Sequence, residues 1–94
     1  MKIEEAQNLI KRVYVERDSA RGAHATFVWF VEEVGELADA LRKGEKSSLK
    51  EEFADVFAWL LSLANVLDVN LQEAFIQKYG EGCPRCGRIP CGCP

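Results

Sequence analysis

The sequence predicts an all-α fold: an antiparallel helical bundle completed by oligomerisation and followed by a short cysteine-rich tail. Three observations carry this expectation. Apolar residues recur at helical spacing through successive stretches of the chain. A short polar link, Gly44-Glu45-Lys46-Ser47, separates two of those stretches. The third stretch is apolar on nearly every side, and a chain of 94 residues with few helices can hardly enclose such a helix alone.

The first helix is expected over residues 3–16, where Ile3, Ala6, Leu9, Ile10 and Val13 form one apolar face between charged residues. Arg17-Asp18-Ser19-Ala20-Arg21-Gly22 then interrupts the pattern and reads as a polar connection. A functional alternative places Arg17 and Arg21 at the rim of an acidic site, where guanidinium groups bind phosphate well.

The second helix is expected from His24 to Lys43, ended by Gly44 as its C′ residue. Phe27, Phe30, Val31, Val34, Leu37, Ala38 and Leu41 make its apolar stripe, with Glu32, Glu33, Glu36 and Asp39 opposite. Trp29 shares the acidic face, and needs a neighbour, another subunit or a ligand to cover it; a subunit contact is the plainer expectation. His24 is the only histidine and suits a helix start better than a ligand role.

The third helix is expected to open on a capping box, Ser48-Leu49-Lys50-Glu51. Its apolar residues, from Phe53 to Leu67, surround Glu52, Asp55 and Trp59, which fall on one side at i, i+3 and i+7. Carboxylates rarely sit among so many large apolar side chains without a task. Asn70-Leu71-Gln72-Glu73 starts a fourth, short helix ending at Tyr79-Gly80.

Two groups of side chains promise chemistry. Glu33 and Glu36 lie one turn apart on a common helix face, as do Glu52 and Asp55. The short link between their helices demands antiparallel packing, which lets the pairs meet. Two like charges about 4 Å apart repel by roughly 4 kcal/mol at an effective dielectric near 20, so such a cluster calls for a cation. Oxygen ligands without histidine or cysteine favour Mg²⁺ or Mn²⁺.

The second group is the tail, Cys83-Pro84-Arg85-Cys86-Gly87 followed by Cys91-Gly92-Cys93. Cys-x-x-Cys-Gly is a knuckle that turns backbone N–H groups toward thiolate sulfur, and Cys-x-Cys supplies two further ligands. Zinc held by four thiolates is expected, with disulfides or a redox dithiol as the competing readings. Residues 1–80 would then form the helical domain and residues 81–94 the zinc-binding tail.

Composition limits the function. The net charge of −3 argues against a general electrostatic footprint for nucleic acid polymers, though not against a nucleotide held through metal. No apolar run is long enough for a bilayer, so no membrane partner is expected. The first residues, Met1-Lys2-Ile3-Glu4-Glu5, lack the apolar core of a signal peptide, and a cytoplasmic protein is the expectation. That location disfavours disulfides.

Glu32-Glu33-Val34-Gly35-Glu36-Leu37-Ala38, then Glu51-Glu52-Phe53-Ala54-Asp55-Val56 with Leu63-Ala64-Asn65, resembles the signature of the MazG-like all-α nucleotide pyrophosphohydrolases over roughly residues 3–79. The resemblance implies that Glu33, Glu36, Glu52 and Asp55 hold magnesium, and that Glu32 helps with a second metal or orients the attacking water. It implies hydrolysis of a nucleoside triphosphate between the α and β phosphates, giving a monophosphate and pyrophosphate. Arg17, Arg21, Lys46 and Lys78 are candidates to offset phosphate charge, and Trp59 or Trp29 to stack on the base. Some relatives carry an asparagine in the last helix to read the base, where this chain has Leu71, Ala74 and Phe75. A phosphoribosyl-ATP pyrophosphohydrolase uses similar acids, and a zinc-stabilised interaction module with a vestigial acidic groove is the non-enzymatic alternative. A homodimer or a dimer of dimers is expected.

Overall fold

The computed structural model describes residues 1–94 and is all-helical, without strands. Its elements are α1 (Ile3–Arg21), α2 (Ala23–Lys43), α3 (Lys46–Val66) and α4 (Leu71–Tyr79). α3 is the organising helix. It folds back along α2 after a two-residue link and takes α1 on another flank, while α4 rests on α1.

The first helix runs past its expected end. Arg17–Arg21 is helical rather than a loop, and Asp18 and Arg21 pair with each other within that helical turn. Arg21 Nη1 donates to Asp18 Oδ1 at 2.9 Å across one turn, and Gly22 N–H donates to the Asp18 carbonyl at 3.0 Å. Gly22, at φ +82°, is the whole connection to α2 and adopts a conformation that a side chain would disfavour. Thr26, fully buried, donates its hydroxyl to the Gly22 carbonyl at 2.6 Å and ties the corner shut.

Gly44 ends α2 in the left-handed conformation, as its sequence position predicts. The expected capping box at Ser48 does not form. α3 starts at Lys46 with Glu45 as N-cap, and Ser48 Oγ instead donates to Glu45 Oε2 at 3.2 Å. α4 is capped as expected, Asn70 Oδ1 accepting from Glu73 N–H at 3.0 Å. Buried Gln7 of α1 pins the turn before it: its side chain donates to the Val69 carbonyl at 2.7 Å and accepts from Leu71 N–H at 3.0 Å.

The apolar core is thin. Ala40, Leu61 and Ala64 are its only buried apolar residues. The stripe of α2 stands open along Phe27, Val31, Val34 and Leu41, and Phe53 of α3 is 62% exposed. Within one chain α3 is therefore not buried around its circumference. No single helix is long and apolar enough to cross a membrane.

Candidate metal centres and the adjoining cleft

Helical periodicity puts Glu33 and Glu36 on one line of α2, and Glu52 and Asp55 on one line of α3. The α2–α3 hairpin brings three of the four together. Carboxylate oxygens of Glu33, Glu52 and Asp55 lie within 4.8 Å of one another, on half-buried to exposed side chains. Glu36 stands outside that group but close enough to repel both glutamates. Partial burial, then the charges of Asp55, Glu36 and Glu32, push the Glu33 carboxyl above its ordinary range. Glu52 is pushed the same way, by desolvation and then by Glu36 and Asp55. No salt bridge joins these carboxylates to a basic side chain. The ion pairs of the molecule are Arg21–Asp18 and those of Arg42 and Lys43 with Asp39. A hard divalent cation fits this donor set, because it would replace mutual repulsion with attraction.

Asp55 also lines a cleft of about 230 Å³ between α1 and α3. Tyr14, Arg17, Asp18 and Arg21 form one wall, and Asp55, Ala58, Trp59 and Ser62 the other. The added turn of α1 thus places both arginines along the same cleft as Asp55. Arg21 lies over the Trp59 ring at 4.7 Å from its centroid. Trp29 stacks on the same ring at 5.9 Å with an interplanar angle of 15°, yet stays 46% exposed within one chain. Trp59 accordingly has two stacking partners of its own.

Asp18 is the residue that sequence reasoning passed over. It is 3% exposed; Oδ1 holds Arg21, while Oδ2 is buried without a hydrogen-bond partner. The i,i+3 relation of Asp18 to Arg21 was the available signal, hidden because the segment read as a loop. Lys78 lies elsewhere, 5.7 Å from the Tyr79 ring centroid and lining a depression shared with Gly82, Cys83 and Pro84. Within one chain it does not border the acidic cleft, and Lys46, in the first turn of α3, is not among the cleft's lining residues either. Glu32 acts on the centre through its charge on Glu33 and lies outside the group of three.

The four cysteines form a second cluster, their sulfurs all within 4.8 Å of one another. Backbone N–H groups of Cys86, then of Arg85, hold the Cys83 thiol down at about 6. Gly92 N–H donates to Cys86 Sγ at 3.3 Å and, with Arg88, lowers that thiol too. Cys93, sharing its proton first with Cys91 and then with Cys83, is pushed up to about 11.

Compared with known families, the chain matches the MazG nucleotide pyrophosphohydrolase domain over residues 21–87. A search of curated proteins finds no match. The matched span holds the three clustered carboxylates, Glu36, both tryptophans and the first cysteine pair; Arg17 and Asp18 precede it, and Cys91 and Cys93 follow it. With more than two-thirds of its length matched and its acids gathered on the α2–α3 hairpin, the chain belongs to the MazG nucleotide pyrophosphohydrolase domain family.

Proposed function

We propose that the protein is a Mg²⁺-dependent nucleoside triphosphate pyrophosphohydrolase that cleaves between the α and β phosphates. Water and the triphosphate give a nucleoside monophosphate, pyrophosphate and a proton. One observation carries the reading: three carboxylates without a basic partner meet beside an arginine-lined cleft, and Asp55 belongs to both. Glu33, Glu52 and Asp55 would hold the ion (Mg²⁺, or Mn²⁺ in its place), with Glu36 as the fourth carboxylate. Bound there, the ion would neutralise phosphate oxygens and lower the pKa of a water molecule.

The chain's own groups do the remaining work. Arg17, which has no ion-pair partner, faces the cleft as the free phosphate-binding cation. Arg21 is fixed in place by Asp18 and by the Trp59 ring, so little side-chain freedom is lost when it meets a phosphate. Trp59 forms the apolar floor on which a base can lie. Glu32, exposed and adjacent to Glu33, is our candidate for accepting the proton of the attacking water.

The open apolar stripe of α2 and the exposed Phe53 and Phe57 of α3 support a homodimer or homotetramer, since covering each such side chain contributes about 1.5–3 kcal/mol. We place the protein in the cytoplasm, with residues 1–80 as the catalytic unit. Pyrophosphate release from a panel of nucleoside triphosphates and phosphoribosyl-ATP, with and without Mg²⁺, tests the proposal. Turnover of one or more triphosphates only with metal is the expected result. Turnover restricted to phosphoribosyl-ATP would reassign the substrate, and no turnover of any compound would leave a binding module.

A further inference from the structure

The tail lies apart from the reaction just described. It follows α4 and shares depressions with the last turn of that helix, while the cleft beside Asp55 holds no residue of the tail. Its large apolar residue, Ile89, is 82% exposed, so no core of its own orders these residues. Yet the backbone here is specialised. Gly82 takes φ +113°, and a Cβ there would stand 2.8 Å from the Ile89 side chain and 3.1 Å from the Arg88 carbonyl oxygen. Gly87, directly after Cys86, takes φ +72°. Gly87 N–H donates to the Cys83 carbonyl at 2.7 Å, and Cys83 N–H to the Arg88 carbonyl at 3.2 Å, closing the loop on itself. Two further N–H groups point at sulfur: Gly92 at Cys86 and Cys93 at Cys91, both at 3.3 Å.

The sulfur geometry identifies what the loop is built around. A tetrahedral Zn–S distance of about 2.3 Å requires sulfurs about 3.8 Å apart along each edge. Cys83 Sγ lies 3.6 Å from Cys93 Sγ and 3.5 Å from Cys91 Sγ, and all four sulfurs fall within 4.8 Å. A disulfide joins sulfurs in pairs at about 2.05 Å and leaves no reason for four to converge on one point. From this convergence we infer that Cys83, Cys86, Cys91 and Cys93 bind one Zn²⁺ as a closed tetrathiolate site that folds the C-terminal tail. The ion displaces four thiol protons, leaving a site of net charge −2 that the inward N–H groups and the neighbouring Arg85 and Arg88 offset. Four protein ligands leave no position for water, so the site is structural. Because Cys91 and Cys93 lie beyond the family match, the completed site is an addition to the catalytic domain.

The test uses the full chain purified under reducing conditions. Elemental analysis should find one zinc per chain, and cobalt exchanged into the site should show the intense visible bands of tetrahedral thiolate coordination. Cys86→Ser and Cys91→Ser should each lose the metal. Backbone amide resonances of residues 81–94 should then collapse to disordered positions while those of α1–α3 stay. Absence of bound metal, stoichiometric iron in place of zinc, or cysteines found paired by mass spectrometry in the reduced preparation would overturn the inference. Metal content and amide resonances are read without nucleotide, so failure here is separable from failure of the hydrolase assignment.

Discussion

The two clusters of this chain solve opposite problems. The carboxylates come from residues up to 22 positions apart, carried on two helices whose backbone hydrogen bonds do not depend on them. Their site is assembled by the helices themselves and is electrostatically uncomfortable. The cysteines come from eleven consecutive residues in a segment with almost no buried apolar surface. Their site is comfortable only when ligated, because little else holds the loop. In the first case the fold shapes the site and carries its repulsion; in the second the site shapes the fold.

The sharpest way to break this contrast is to remove a ligand from each cluster. Asp55→Ala should lower pyrophosphate release on the order of a thousandfold, equivalent to about 4 kcal/mol of barrier, while circular dichroism shows the helices intact. Loss of helicity in that variant would mean that the acids support the fold after all. Cys86→Ser should do the reverse, disordering the tail with less than about a tenfold change in turnover, as befits a residue remote from the reacting groups. Equal damage to activity by both variants would erase the distinction.

Asp18 sharpens it from a third direction, as a buried acid that belongs to the fold and to the cleft. Asp18→Ala frees Arg21 and should destabilise the protein by about 1–3 kcal/mol in urea unfolding. The same variant should raise KM for the triphosphate more than it lowers kcat.

The smallest effect is on stability against pH. The folded-state carboxyls of Glu33 and Glu52 lie above their unfolded value of 4.5, so the folded chain binds more protons than the unfolded one in that window. Their contribution to metal-free stability is full below 4.5 and is lost as pH rises through the raised values. Thermal unfolding in chelator should therefore show Tm falling by a few degrees across this range relative to a Glu33→Gln, Glu52→Gln double variant. Magnesium should restore it near neutrality; a flat difference between the two proteins would refute the repulsion.

Much of this was legible in the sequence, and the misses share one physical cause. Apolar periodicity located the helices, and i,i+3 spacing found the acids, because both depend on local geometry. Spacing ranks Glu36 with Glu33, and the packing of α2 on α3 brings the oxygens of Glu33, Glu52 and Asp55 within 4.8 Å of one another. The end of α1 was misplaced because Arg17–Arg21 looks polar, yet Asp18 and Arg21 pair across one helical turn and line the cleft. Ser48 offered a good cap sequence, but the chain is already helical from Lys46, leaving the hydroxyl to bond Glu45. The stacking of Trp29 on Trp59 was invisible for the same reason: its partner ring comes from the next helix.

That pairing gives the protein a reporter of its own. The chain has two tryptophans, and they stack on each other, with one of them lining the cleft beside Asp55 and under the Arg21 guanidinium. All of its indole emission therefore originates at a single spot. A nucleotide that draws Arg21 off the Trp59 ring should change the surroundings of the stacked pair, so the fluorescence of unlabelled protein should report occupancy of the cleft.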